Sequence, residues 1–447
     1  MMLLGLLLRA TTADVPVTCY WSDIEGTWTF SETARTGDSS LECDISSGDL
    51  NDVVYTKTFT LSFPNHVVDE LGSEGTWTMV SSQGFEVNIN GRSYYASSYY
   101  EGDWASSTSY CDRTMNGYSY ERGAIRNWAC FNGQKNTEVV PRVHQNREEP
   151  LPDQYWKNDH KLIQAINDKQ TSWTAKTYPE FEKYTMQGMH QRAGGHFMPL
   201  PSPAPASPEL KDRVSMLPEN FDWRNVSGVN YISPVRDQES CGSCYAFSSM
   251  ALVEARLRIA TNNQRTDIFS PQDIVECSPL SEGCSGGFKY LIGGRHAHAY
   301  GLVSEDCNAY TVQDGQCSTD ESCPRTFVSD YNFLGGYYGG CNEELMKEAL
   351  VNNGPMGVSY YVYSDFYNYF GGIYHHTELK SDFNPHKPTN HAVFLVGYGV
   401  EPGTGEKFWT VKNSWGKYWG EDGYFRIRRG TDEAAIGSYA VEATVIP

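Results

Sequence analysis

The chain has 447 residues, 39% hydrophobic and 13% aromatic, enough for a large core in two to four domains and too apolar for wholesale disorder. Lys+Arg 35 against Asp+Glu 55 leaves a formal charge of −20 at pH 7, a field that repels phosphate backbones and makes nucleic acid an unexpected partner. Beyond the first few residues no stretch approaches the ~18 apolar residues of a membrane span, so no membrane association is expected.

Met1-Met2-Leu3-Leu4-Gly5-Leu6-Leu7-Leu8 leads to the small residues Thr11-Thr12-Ala13, which reads as a signal peptide over 1–13. Cleavage after Ala13 makes Asp14 the new amino terminus. Twelve cysteines fit an oxidising secretory route. Asn225-Val226-Ser227 is the single glycosylation sequon, with Asn225 as acceptor.

Residues 14–137 read as strands. Val53, Tyr55, Phe59, Leu61 and Phe63 alternate with Thr56, Thr58, Thr60 and Ser62; Phe85, Val87 and Ile89 alternate with polar neighbours and run into an Asn90-Gly91 turn; Trp28 with Phe30 and Trp77 with Met79 repeat the period. The expectation is an antiparallel barrel or sandwich. Cys19, Cys43, Cys111 and Cys130 make an even set with three possible pairings. Residues 138–216 differ: Leu162, Ile163, Ala165, Ile166 and Trp173 have helical spacing, and Met198–Pro208 is a proline-rich extended stretch open to proteases. We read 138–216 as a removable pro-segment. From Leu217 onward a single large domain is expected, with an amphipathic helix through Met250–Leu257 and late strands at Ala392–Val396 and around Phe425 and Ile427.

The chemistry concentrates in three segments. In Gln238-Glu239-Ser240-Cys241-Gly242-Ser243-Cys244-Tyr245, Cys244 follows Ser243, an expected N-cap, and opens the helix. A thiol there feels the positive end of the helix dipole, which favours the nucleophilic thiolate. Asn390-His391 leads the buried strand, and Lys412-Asn413-Ser414-Trp415 comes later still. One nucleophile among twelve cysteines leaves eleven, so another thiol must stay free or pair outside the chain. His296, His298, His375 and His376 lack zinc-ligand spacing, and surface or packing roles are expected with no metal.

Cys244, His391 and Asn413, each with its flanks, resemble the papain-like cysteine peptidases over about 217–447, and Phe221-Asp222-Trp223-Arg224 resembles the start of their mature enzyme. Asn413 lies beyond the ~130–150 residues usual for the downstream partners, which implies a loop insertion. The resemblance implies an α+β fold: a helical lobe with the nucleophile, a β-rich lobe with the histidine, and a cleft between. It implies that Cys244 attacks the scissile carbonyl, His391 carries the proton, Asn413 orients the imidazole, and the Gln238 amide with the Cys244 N–H forms the oxyanion hole. Trp415 shields the histidine, and Gly286-Gly287 lets substrate backbone approach. It pairs Cys241 with Cys284 and Cys277 with Cys317; we add Cys307–Cys323, leave Cys341 free, and take Cys19–Cys111 and Cys43–Cys130 for the barrel.

The N-terminal region resembles the exclusion domain found in the dipeptidyl-peptidase members of that family. The matching residues are Asp14, Pro16 and Cys19, Gly26-Thr27-Trp28, Gln83-Gly84-Phe85-Glu86 and Arg126–Phe131; Gly339–Glu343 and Gly371–Thr377 add matches in the catalytic half. That resemblance implies removal of dipeptides from free N-termini, with the barrel as a wall and the Asp14 carboxylate holding the cationic amine. It also implies a chloride ion held by Phe288, Tyr290 and Tyr338, with Lys289 where the family usually has proline. A lysosomal, glycosylated homotetramer follows, cut by processing proteases into chains near 14–137, 217–380 and 381–447 and acting on other proenzymes. Two alternatives are an endopeptidase with an unrelated barrel and an inactive scaffold.

Overall fold

The computed structural model describes residues 15–123, 125–145, 151–195, 197–384 and 388–447, so Asp14 lies outside the described residues. The chain divides into two compact units, Met1–Glu148 with Pro279–Glu282, and Glu149–Ser278 with Gly283–Pro447.

The first unit begins with a single turn, α1 (Trp21–Ile24), and continues in strands β1 (Gly26–Thr33), β2 (Val53–Ser62), β3 (His66–Asp69), β4 (Glu74–Val80), β5 (Gly84–Ile89), β6 (Arg92–Gly102), β7 (Ser106–Thr114), β8 (Gly117–Glu121), β9 (Ala129–Lys135) and β10 (Arg142–Gln145). The antiparallel path β1-β2-β3-β4-β5-β6-β8-β9 returns from β9 to β1 and closes an eight-stranded barrel, while β7 pairs with β6 and carries β10. Closure leaves none of the eight strands with a free edge. The period-two pattern aims Trp28, Phe30, Phe59, Trp77, Phe85 and Val87 inward. Phe30 is the hub, its ring 5.1 Å from Phe59, 5.5 Å from Tyr94 and 5.1 Å from Phe131. Asn90 (φ 52°) and Gly91 (φ 72°) make the two-residue β5–β6 turn. The alternation in β2 holds only for its second half. Val53 and Tyr55 are exposed because they face the end of β1, at Thr33 and Glu32, past the buried rings; Phe63 follows the strand and is also exposed.

Buried among the barrel side chains is an ion pair. Arg92 Nε donates to Glu32 Oε1 at 2.6 Å, and Ser119 Oγ donates to the same oxygen at 2.6 Å. The disulfides Cys19–Cys111 and Cys43–Cys130 join distant parts of the unit.

The second unit holds a nine-stranded sheet. Its strands are β11 (Trp173–Ala175), β12 (Phe221–Asp222), β13 (Val328–Phe333), β14 (Met356–Val362), β15 (Tyr369–Tyr374), β16 (Thr389–Val400), β17 (Lys407–Lys412), β18 (Tyr424–Arg428) and β19 (Ala440–Val445). The order is β11-β15-β18-β17-β16-β14-β19-β13, with β12 pairing on β16. The helices before its centre are α2 (His160–Lys169), α3 (Met186–Arg192) and α4 (Pro208–Ser215), followed by α5 (Cys244–Ala260). The expected amphipathic helix is α5, but every residue from Cys244 to Leu257 is buried. It packs on β14, β16 and β19 and is covered by the helix Pro271–Cys277 and the wide π-helical turn Tyr290–His296. A helix enclosed on all sides carries apolar residues around its whole circumference. The disulfides here are Cys241–Cys284, Cys277–Cys317 and Cys307–Cys323; Cys244 and Cys341 are in no disulfide.

Residues 151–216 are part of this unit. Asp159 caps α2 by accepting from Lys161 N and Leu162 N, and the helix ends before Trp173. Trp173, expected on the helix by spacing, instead pairs with Gly372 as part of β11, which extends the catalytic-unit sheet. Downstream, Ala204 N donates to Cys341 O at 2.8 Å and Arg213 of α4 pairs with Glu348 at 2.6 Å.

Glu32→Ala is expected to destabilise the barrel by about 3–5 kcal/mol, because Arg92 is left buried with Glu121, at 4.0 Å, in place of the 2.6 Å pair. Chemical denaturation of the full chain, followed by tryptophan fluorescence, measures the loss.

Candidate active site

Three segments converge at the N-terminus of α5. The first is the loop before it. Asp237 bridges to Trp415, and Gln238 N donates to Ser414 O at 2.9 Å. Gln238 is fully buried; its Nε2 donates to Cys241 O at 2.9 Å and its Oε1 accepts from Ser414 Oγ at 2.5 Å. An amide has two N–H groups, so this arrangement fixes the group and leaves the second available. The Cys241–Cys284 disulfide and the Gly242 N to Cys284 O bond of 2.9 Å hold the loop against the 283–287 turn.

Ser243 stands at the N-cap position but does not cap. Its hydroxyl meets the Tyr310 hydroxyl at 2.7 Å, and Tyr310 donates onward to Gln238 O at 2.8 Å. A cap bond would spend that hydroxyl on the first turn; here it braces the loop instead. Cys244 is the first helical residue, at the positive end of the helix dipole.

The second segment is β16. His391 pairs with Tyr360 of β14 and is fully buried. Its Nε2–H donates to Asn413 Oδ1 at 2.8 Å, and that oxygen also accepts from Ser414 N at 2.8 Å. This assigns the proton to Nε2 and leaves Nδ1, which has no hydrogen-bond partner, as a base. Trp415 lies over the imidazole at 5.2 Å and is braced by Tyr367, stacked at 5.4 Å. Burial pushes the His391 pKa down to about 3; the bond to Asn413 opposes the shift, and the nearby cations Arg192 and Lys289 add to it.

The third segment is 190–200. Nothing in the sequence marks Arg192, a polar residue in an ordinary helical turn, yet it is fully buried and pairs with Asp237 at 2.8 Å. Trp415 Nε1 donates to Arg192 O at 3.1 Å, Thr389 Oγ1 donates to Ala193 O at 2.6 Å, and Gly194 lies so close to Asn390 O that no Cβ fits. The Asn390 side chain exchanges two hydrogen bonds with the Met198 backbone. This stretch therefore lies directly on the strand that carries His391.

Gly286 adopts φ +147°, and a Cβ on Gly287 would meet the Tyr245 ring at 2.7 Å. Packing on Tyr245 thus gives Gly287 a requirement of its own. Phe288, Lys289, Tyr290 and Tyr338 are buried together: Tyr290 stacks on Phe333 at 4.1 Å, and Tyr338 lies 5.8 Å from Tyr439. Asn225 is exposed beside a turn. His296 is buried against Ser278 Oγ, His298 is buried near Tyr331, His375 contacts Ser172 and Arg428, and His376 pairs with Asp365. No group of three or more potential metal ligands occurs among the described residues.

Comparison with known proteins gives two family matches: papain family cysteine protease over residues 217–444 and cathepsin C exclusion domain over 14–135. Cathepsin C of Schistosoma mansoni is 39% identical, covering 97% of this chain and 96% of that protein. Pro-cathepsin H of Bos taurus is 36% identical over 50% of this chain and 63% of that one. Among solved structures, procathepsin L2 from Tenebrio molitor larval midgut superposes with a TM-score of 0.51 at 30% identity, covering 64% of this chain and 89% of its own.

The buried ring is neutral in this arrangement but takes up a proton near pH 6.5 when exposed. The arrangement therefore loses stability as pH falls from about 6.5 toward about 3. In the full chain at pH 5, ¹⁵N-histidine NMR is expected to find His391 neutral with its proton on Nε2; a doubly protonated ring would contradict the burial argument.

Proposed function

Because the chain belongs to the papain family of cysteine proteases and carries the exclusion domain of cathepsin C, we infer that it is a cysteine exopeptidase that removes dipeptides from the free N-terminus of peptides and proteins. The observation that carries this reading is the His391–Asn413 hydrogen bond, in a chain that sets a thiol at a helix N-terminus and whose other matched region is that exclusion domain.

The chemistry follows from the residues. His391 Nδ1 takes the Cys244 proton, and the sulfur attacks the scissile carbonyl. The second N–H of the Gln238 amide and the Cys244 backbone N–H receive the charge that develops on the carbonyl oxygen. As the C–N bond breaks, the imidazolium returns the proton to the leaving amine, and a thioester remains. Water then gives a proton to His391 and adds to the thioester; the dipeptide leaves as its acid and Cys244 recovers its hydrogen. Asn413 keeps the ring in the one tautomer that serves both halves.

Two-residue selectivity requires a partner for the substrate's amine and a stop behind it. The amine has a pKa of ~7.7–8 and is cationic in acid. The Asp14 carboxylate, made terminal by cleavage after Ala13, is the proposed partner, and the 14–137 domain is the stop. Residues 138–216 are the proposed pro-segment: with Arg192–Gly194 lying on Asn390 and Trp415, substrate has no room at His391. The exposed prolines 203 and 205 offer a place to cut. Heavy and light chains near 217–380 and 381–447, lysosomal residence, a homotetramer, a glycan on Asn225 and activation of other proenzymes complete the reading by resemblance.

A chloride ion belongs to the same reading. The residues at its proposed site suit an anion: Phe288, Tyr290 and Tyr338 are buried beside a lysine ammonium, and Tyr290 N–H reaches the Tyr439 hydroxyl. Chloride would supply fixed negative charge beside Lys289 when bound.

Release of dipeptides from a defined peptide at acid pH tests the function. The processed enzyme is expected to release dipeptides stepwise and to spare the N-acetylated peptide; equal cleavage of both means an endopeptidase. Cys244→Ser is expected to lose at least ~10³-fold in kcat. Gln238→Ala is expected to lose ~10²–10³-fold in kcat with little change in KM, measured by initial rates on a dipeptide amide.

A further inference from the structure

Arg192 is the last residue of α3 and lies in the segment read as removable. Its side chain is 0% exposed. The guanidinium pairs with Asp237 at 2.8 Å, and its Nη2 donates to the Tyr418 hydroxyl at 3.0 Å. Three rings enclose it, with centroids at 5.3 Å for Phe181 and Tyr184 and 5.7 Å for Trp415. Burial penalises a guanidinium, and the Asp237 charge offsets that penalty. Among the described residues no second cation lies within ion-pair distance of Asp237. Its neighbour Arg236 pairs elsewhere, with Glu305 at 2.6 Å.

This cradle has two parts. Phe181, Tyr184 and Arg192 itself belong to 138–216. Asp237, Trp415 and Tyr418 belong to 217–447 and stay when that segment goes. They have braces of their own. Asp237 forms a backbone bridge with Trp415, and its Oδ1 accepts from Glu239 N at 2.9 Å. Gly416, at φ +79°, stands so close that an added Cβ would lie 2.9 Å from Asp237 Oδ2. The Asp237 side chain is 27% exposed even with Arg192 in place. Its position bears on the reaction. Asp237 directly precedes Gln238, and Trp415 lies over the His391 ring at 5.2 Å. In the proposed mechanism the leaving amine takes its proton from His391 Nδ1, so the residue that carries this amine starts at the imidazole, beside the tryptophan to which Asp237 is bridged. Glu239, on the other side of Gln238, pairs with Lys183 at 3.4 Å. Both carboxylates that flank Gln238 thus meet a cation of 138–216 and lose it on excision.

We propose that Asp237, with the Tyr418 hydroxyl and the Trp415 ring, binds the cationic side chain of the residue just after the scissile bond, so that peptides with Arg there are preferred. Arg192 is the occupant while 138–216 is attached, and its seat shows that a guanidinium fits. This rests on the exopeptidase reading, in which that residue is the substrate's third. A guanidinium makes charge-assisted hydrogen bonds to the carboxylate and lays its plane against a ring. Lys brings the charge without the fork or the plane. A neutral side chain leaves Asp237 to water, because the site is partly open. The discrimination is therefore a gain for the cation, of the size found for partly exposed ion pairs.

The test uses two tetrapeptide amides with free amines that differ only at the third residue, Arg in one and its uncharged analogue citrulline in the other. Dipeptide release by the processed enzyme at pH 6 and low salt is followed by chromatography. The Arg peptide is expected to lead in kcat/KM by about fivefold, through a lower KM. Asp237→Asn is expected to bring the ratio to one by raising KM for the Arg peptide alone. Equal kcat/KM for the two peptides in the wild-type enzyme overturns the proposal by itself, whether or not the variant folds, and leaves the exopeptidase reading standing. A preference for Arg that survives Asp237→Asn also overturns it. If neither peptide releases a dipeptide while the N-acetylated pair is cut before the third residue, the exopeptidase reading fails, and the Arg/citrulline ratio on that pair decides the role of Asp237.

Discussion

The hydrogen bond from His391 Nε2 to Asn413 Oδ1 decides what the site is able to do. It puts the proton on one ring nitrogen and leaves the other as a base. It also requires two strands, β16 and the end of β17, to hold their register within a few tenths of an ångström. The second bond to Asn413, from Ser414 N, and the grip of Ser414 on Gln238 tie the same few atoms to the loop before Cys244. One short stretch of chain, 413–415, therefore orients the imidazole, fixes the Gln238 amide and roofs the ring with Trp415. The central helix serves this arrangement by being buried on every side: with nowhere to shift, it presents Cys244 at a constant place.

Much of this could be read from sequence because the chemistry is local in its flanks. Cys241–Tyr245, Asn390-His391 and Asn413–Trp415 each carry enough neighbouring identity to be recognised singly, and the structure brings His391 and Asn413 into contact. The barrel was legible for a different reason. Period-two alternation is a direct image of a wall with one inner face, and Phe85, Val87 and Ile89 are buried as it predicts, although Glu86 between them is buried as well. It failed at Val53 and Tyr55, where the same pattern continues past the end of the buried layer. Trp173 failed because spacing alone does not say where a helix stops.

What sequence left hidden depends on tertiary context. Ser243 has the right type for a cap and the right position, yet Tyr310, distant in the chain, claims its hydroxyl. Arg192 looks like a solvent residue until Asp237 and a set of aromatic rings enclose it. Lys289 stood out in sequence only as a departure from the usual proline; its burial is a property of the fold. A charged residue inside is informative because it is costly, and no local pattern of residues foretells it.

The covalent link between 194–200 and the strand it covers has a thermodynamic consequence. While both ends of that segment remain attached, it returns to His391 at the millimolar effective concentrations of an intramolecular contact. Severing both ends turns the same contact into an association between two separate molecules, and at nanomolar protein the balance tips by several orders of magnitude without a single hydrogen bond being altered. Dilution alone then acts as the switch.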